Sequence, residues 1–302
     1  MNAIKRIYIF SALIFLFSST LGSPAVAQVL TKKVDPLRPI IEIKTQKTLS
    51  VDELIEKIKR ANYILLGEFH DNASHHQLRG DLILRLNQSK QIVVVEYLLA
   101  GKEVQFLGST LESLHAAGFN SKAWPWLIYG PLFEQLRISQ RPIVGSNLDR
   151  SISKAIFSGE NNPIPSSLKV DYQKSSLSAP AMAALEQDLI EGHCGKLPPA
   201  YLKPMMLVQR LTDISMARVL LERSSGILLA GNGHIRKDYG VPQVLKAVAP
   251  HQSVVNIAFT EDDGLDSKTV ANYRDRYDYV WLTKPIERKD PCVDLQFGKP
   301  SS

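Results

Sequence analysis

Two stretches of this sequence carry the residue types of a reactive site. Tyr63-Ile64-Leu65-Leu66 runs into Gly67-Glu68-Phe69-His70-Asp71, and Ile227-Leu228-Leu229-Ala230 runs into Gly231-Asn232-Gly233-His234. Each is an apolar run that ends in Gly-x-x-His. A neutral imidazole is both a base near pH 7 and a ligand for divalent metals. A carboxylate beside it can take a proton from water or complete a metal shell. Glu68 stands in the first motif, and Glu96 ends a third apolar run, Ile92–Val95. His70, His234, Glu68 and Glu96 therefore form a candidate acid–base or divalent-metal site. The structural alternatives are satisfied core histidines and a Glu96 paired with Arg79 or Arg150. His75 and His76 would diverge by about 100° on a helix, so at most one can face the same pocket. His115 and His251 stand in no such pattern.

Bringing two such histidines together requires neighbouring strands that point the same way. The runs at 62–67, Ile92–Glu96, Pro142–Gly145, 227–231, Val254–Phe259 and Tyr279–Leu282 are short, continuous and apolar. That is the pattern of strands buried on both faces of a parallel sheet. Helical spacing marks Val51–Arg60, a segment capped by Ser74 and running through Asn87, then Phe133–Ile138, Pro180–Glu191, Pro204–Arg223 and a helix ending near Val248. The alternation predicts an α/β fold, a mostly parallel β-sheet flanked by helices on both faces, with a helical insert. Gly159–Ser178, rich in serine and proline, reads as a surface connection to that insert. In such sheets ligands bind beyond the carboxyl ends of the strands. Glu68, His70, Glu96, Asn147 and His234 all fall there. Trp124, Trp126, Tyr129 and Phe133 read as packing over the sheet, or as a flat apolar wall for a ligand or a second subunit.

Residues 1–27 have the make-up of a secretory signal. Lys5 and Arg6 precede an apolar stretch, Ile7–Leu21, and Ala25-Val26-Ala27 supplies a cleavage site. The apolar stretch is shorter than the roughly 18 to 20 residues of a membrane span. The expected product is one domain over 28–302, soluble and periplasmic. Loss of Lys5 and Arg6 lowers the formal charge from +6 to +4. With no run of five or six like charges, nucleic acid is not the expected partner. Cys194 and Cys292 are the only cysteines, and an oxidising compartment would pair them.

The motifs have an order. Gly67-Glu68-Phe69-His70-Asp71, Ser74-His75-His76, Val94-Val95-Glu96, Asn147-Leu148-Asp149-Arg150, Gly192-His193-Cys194-Gly195 with Leu197-Pro198, Gly231-Asn232-Gly233-His234 and Asp290-Pro291-Cys292 follow one another along the chain. This set resembles the ChaN family of haem-binding proteins, which is grouped with the Tiki, TraB and erythromycin-esterase-like proteins. The resemblance implies haem as cofactor in bacterial haem and iron uptake, with a tyrosine on the iron. It also implies His and Lys contacts to the propionates and two haems stacked at a homodimer interface. A partner in an outer-membrane or periplasmic haem transport system would receive the cargo. The family often has a lipoprotein anchor, and this sequence departs from that in lacking a lipobox cysteine.

A phenolate is a hard anionic donor suited to ferric iron. Its pKa near 10 must be lowered by neighbouring cations or by the iron itself. Tyr239 follows Arg236 and Lys237 and is the first candidate for the iron, with Tyr129 and Tyr201 behind it. Lys237 and His193 are candidate propionate partners, and His70 and His234 stand at the pocket rim. His193 has shaping of the disulfide corner as its structural alternative. The expected function is non-catalytic haem binding. The competing one is a metal- or carboxylate-assisted hydrolase of an ester or peptide using Glu68, His70, Glu96 and His234. The sequence contains neither His-Glu-x-x-His nor Gly-x-Ser-x-Gly, which disfavours zincin and serine chemistry.

Overall fold

The computed structural model describes residues 39–86, 91–262, 267–290, 292, 293 and 295. The signal expected at 1–27 lies outside the described residues. Six parallel strands form the sheet: β3 (Tyr63–Leu66), β4 (Ile92–Leu99), β5 (Ile143–Asn147), β6 (Gly226–Leu229), β7 (Val254–Glu261) and β8 (Tyr279–Thr283). A short hairpin, β1 (Ile40–Glu42) with β2 (Lys47–Leu49), adds antiparallel to β8. The spatial order is β2-β1-β8-β7-β3-β6-β4-β5. This is the α/β architecture the apolar runs predict. The hairpin, with three residues per strand, is too short to leave a periodic trace.

Side chains alternate across the sheet with the period of two that a pleat imposes. Ile64 and Leu66, Val93 and Val95, and Ile227 and Leu229 enter one core. Helices α1 (Val51–Ile58), α2 (Ala73–Arg85), α3 (Thr110–Ala116) and α4 (Trp126–Ser139) supply its other half. Tyr63, Leu65, Val94 and Leu228 enter the opposite core, with α5 (Arg150–Phe157), α6 (Ser166–Lys174), α8 (Pro199–Leu221), α9 (Val241–Val248) and α10 (Ser267–Tyr273). Helix α7 (Ala179–Gly192) packs Ala181 and Leu185 into a small third cluster with Tyr239.

Several local expectations are corrected. Asn72, not Ser74, caps α2, its Oδ1 accepting from Ser74 N at 2.9 Å and His75 N at 3.3 Å. The stretch 159–178 holds α6, so the proline- and serine-rich connection is partly helical. Helix α4 begins at Trp126, and α8 begins at Pro199, whose missing N–H costs nothing at a first helical position. Cys194 and Cys292 form a disulfide with a Cα–Cα distance of 5.6 Å. Among the described residues no helix is long and apolar enough to cross a membrane.

Candidate functional site

Strands β3, β6 and β4 are consecutive in the sheet, so their carboxyl ends lie one strand spacing apart, about 4.8 Å each. The helix after β3 packs on one face and the helix after β6 on the other. A crevice opens where neighbouring connections part in this way. Glu68 and His70 rise from β3, Gly231 and His234 from β6, and Glu96 from β4, where the pairing with β5 shifts register.

The two motif glycines explain the meeting. A Cβ on Gly67 would overlap Asn232 Oδ1 at 2.0 Å, and one on Gly231 would meet His70 Nε2 at 2.9 Å. Each motif's glycine leaves room for a residue of the other motif.

Both histidines are held the same way. His70 Nδ1 lies 2.6 Å from Glu68 Oε1, and His234 Nδ1 lies 2.7 Å from Asp213 Oδ1, on α8. Placing the ring proton on Nδ1 satisfies both carboxylates and leaves each Nε2 facing the crevice. Gln209 Nε2 also approaches His234 Nδ1 at 2.9 Å. The carboxylate is the stronger partner, and the amide can turn its oxygen to the same atom. The two Nε2 atoms point at a common neighbour, Glu96 Oε1, from 3.9 Å for His70 and 3.7 Å for His234. Those gaps are too wide for direct hydrogen bonds and fit one bridging oxygen. Glu96 Oε2 accepts from Gly231 N at 2.8 Å.

Burial alone would raise the Glu96 carboxyl. The facing His70 and His234 and the Gly231 N–H outweigh it and hold the group below the usual carboxylate range. Burial likewise opposes charge on His234, but Glu96 and Asp213 raise its affinity for a proton.

Glu68 is buried and is the hub of a second layer. Arg79 of α2 donates to it, and Tyr97 Oη donates to Oε2 at 2.8 Å and Tyr129 Oη to Oε1 at 3.2 Å. His76 Nδ1 stands 3.1 Å from the same carboxylate. That approach is not an ion pair. His76 Nε2 donates to the His70 carbonyl at 3.1 Å and Nδ1 accepts from Arg79 at 2.7 Å, so the ring is neutral. Burial holds its pKa down at about 4. His75 turns away to Phe69 N and Thr283 Oγ1 at 2.9 and 2.8 Å. Only His76 of that pair serves the site.

The arginine alternatives for Glu96 are corrected, since Arg79 pairs with Glu68 and Arg150 is exposed at the start of α5. Asn147 ends β5 as expected, its Oδ1 accepting from Leu148 N at 2.8 Å. Among the described residues no group of three or more His, Cys, Asp or Glu donors closes to the spacing of a divalent-metal shell.

The haem candidates separate from this crevice. Tyr239 is 2 % exposed. Its phenol donates to Asp188 Oδ2 at 2.6 Å, its ring lies 4.4 Å from the Arg236 guanidinium carbon, and burial drives its pKa up. It is a packed core tyrosine, which corrects its assignment to the iron. Lys237 binds Asp278 at 2.9 Å and lines a hollow with Glu42, Val254 and Tyr279, at the amino-terminal edge of β7 and β8. That edge is the wrong one for a propionate partner at the rim. Tyr129 is spent on Glu68, and Tyr201 makes an edge contact with Phe157. His193 ends α7, with Nδ1 2.7 Å from the Leu189 carbonyl. Trp124 stacks obliquely on His70, ring centres 5.2 Å apart, so the aromatic cluster walls the crevice as well as packing the sheet.

A family model described as haem-binding uptake, Tiki superfamily, ChaN, matches residues 54–245, well over half of the chain. The chain belongs to the ChaN family of haem-binding uptake proteins. The ChaN frame is visible in structure too. The protein is similar to ChaN of Campylobacter jejuni, solved with cofacial haem binding, at 24 % identity and a TM-score of 0.64, over 80 % of this chain and 95 % of that one. More distant likenesses are the type III effector HopBA1 (12 % identity, TM-score 0.42, 78 % and 93 % covered) and the erythromycin esterase EreC (14 %, 0.44, 85 % and 99 %). Neither is near enough to carry an argument. No curated protein matches the sequence.

Proposed function

We propose that this protein holds haem on its helical side, as an exported component of bacterial haem and iron uptake. Beyond the family match, the supporting observation is a groove of about 450 Å³ between α6, α7 and α8. Leu177, Leu185, Met206 and Leu207 make it apolar, and Tyr172, Lys203 and Arg210 bring polar atoms to it. A ligand pocket of this kind is apolar with a few placed polar groups, which suits the flat porphyrin and its propionates.

Tyr172 takes the place first given to Tyr239. Its phenol and the Arg210 guanidinium interact electrostatically, and a phenolate is a hard anionic donor of the kind ferric iron binds. Lys203 replaces Lys237 as a propionate partner, and His193, farther along the helical insert, remains a second. Val170 and Met182 are exposed near the groove. A second copy docking there would bring two haems face to face, the cofacial arrangement known for the Campylobacter jejuni protein. Export to the periplasm and transfer to a membrane transport component complete the reading.

Hemin titration tests it. A shifted Soret band is expected for the purified protein and for Tyr239→Phe, with the spectrum altered and affinity weakened at least tenfold for Tyr172→Phe. Sedimentation should show haem-dependent dimers. An unshifted Soret band in the unmodified protein would remove the haem reading. A Tyr172→Phe titration matching the unmodified protein would move the iron to another ligand.

A further inference from the structure

The groove on the helical side leaves the strand-end crevice without a task, although its construction is more exacting. Two imidazoles, each oriented by a buried carboxylate at 2.6 and 2.7 Å, turn their Nε2 atoms toward one carboxylate oxygen at 3.9 and 3.7 Å. Structural histidines have no need of this. Asp213 is fully buried, and its second oxygen has no hydrogen-bond partner. Desolvation of that kind is costly, and a base that must be held in one tautomer explains it. His70 reaches solvent, its side chain 47 % exposed.

We propose that this crevice is a second, hydrolytic site for a neutral carboxylic ester, with His70 the base toward water and His234 the acid toward the leaving alcohol. A water proton passes to His70 Nε2 as the water oxygen bonds to the acyl carbon. His234 enters the cycle as the imidazolium between Asp213 and Glu96. The tetrahedral adduct collapses with cleavage of the acyl carbon–alkoxy oxygen bond, and the alkoxide takes the His234 Nε2 proton. Proton return from His70 to His234, by way of Glu96 or solvent, restores the site. The products are an acid and an alcohol, with no change of oxidation state.

The charge balance selects the substrate. Both Nε2 atoms face the Glu96 carboxylate. Arg79 is buried on Glu68 and Arg210 on the Tyr239 and Ser175 carbonyls, so neither guanidinium is turned to an anion in the crevice. A phosphate would meet repulsion that a neutral carbonyl escapes. Trp124 beside His70, and Phe69 at 37 % exposure, offer an apolar wall for the acyl or alcohol part. The raised proton affinity of His234 fits the acid role.

This inference does not rest on haem binding. The test is hydrolysis of p-nitrophenyl butyrate by the full chain without added haem, beside p-nitrophenyl phosphate. Turnover of the butyrate should fall about 100-fold or more in His70→Ala and in His234→Ala. Asp213→Asn should lower kcat and shift its pH profile with KM little changed. Hemin spectra and circular dichroism of the same samples separate lost chemistry from lost fold or lost haem binding. A rate in the unmodified protein equal to that of the histidine variants overturns the proposal. So does activity abolished by a chelator and restored by a divalent ion, or a preference for the phosphate.

Discussion

At the residue scale, Glu68 shows why a strand-end carboxylate cannot be read alone. It receives Arg79, Tyr97, Tyr129 and His70 at once, so its charge is fully engaged and it positions His70 rather than reacting. Removing Arg79 would leave a buried anion without its cation, which costs about 3–5 kcal/mol. Arg79→Met should therefore lower unfolding stability by that amount in urea denaturation, with His70→Ala costing far less. Glu68, His70, Glu96 and His234 were legible because apolar runs stopping at Gly-x-x-His announce strand ends. Asp213, Tyr97 and Gln209 were not, since each sits inside a helix or strand where a polar residue reads as surface or as packing, and Arg79 was expected on Glu96 but lies on Glu68. Tyr239 failed for a different reason. Nearness to His234 along the chain suggested the rim, but a Val241 N bond to the His234 carbonyl at 2.7 Å closes the loop and folds the ring inward.

At the element scale, α2 carries two buried neutral histidines, His75 with a pKa of about 3 and His76 of about 4. In both, burial is the leading cause. Their folded values lie below the unfolded value near 6.5, so on acidification the unfolded chain takes up protons first. Stability is whole above about pH 6.5, is lost as pH falls through 6 and 5, and levels off near the folded values. Each tenfold loss of proton affinity corresponds to about 1.4 kcal/mol. Denaturation midpoints measured from pH 7.5 to 4.5 should fall accordingly, and His76→Gln should flatten the slope. The principal strands were legible from their apolar runs, and α1, α2, α7, α8 and α9 from spacing or caps. Helices α3, α5 and α6 were not, and length does not separate them, since α1 and α9 run for 8 residues each. Helix α6 lies inside the serine- and proline-rich stretch whose composition reads as a connection, and tertiary packing rather than propensity sustains helices this short.

At the scale of the whole molecule, the Cys194–Cys292 bond ties the tail to the helical insert across 98 residues of chain. Closing a loop of that length removes unfolded-state freedom worth about 2–5 kcal/mol. Cys292→Ser should lower the thermal midpoint in calorimetry, and a reducing agent should do the same to the unmodified protein without further effect on the variant. The sheet's two flanks carry a consequence of another kind. One ends in β2, three residues long and bearing Lys47. At the other, residues 102–104 lie against β5, with Gly145 N bonded to the Lys102 carbonyl at 2.7 Å and Val104 N to the Ile143 carbonyl at 3.0 Å. Strand addition, by which open sheets polymerise, finds little to grip at either margin. Growth through these described strand margins is thereby disfavoured, and with it the open-ended stacking that leads to filaments.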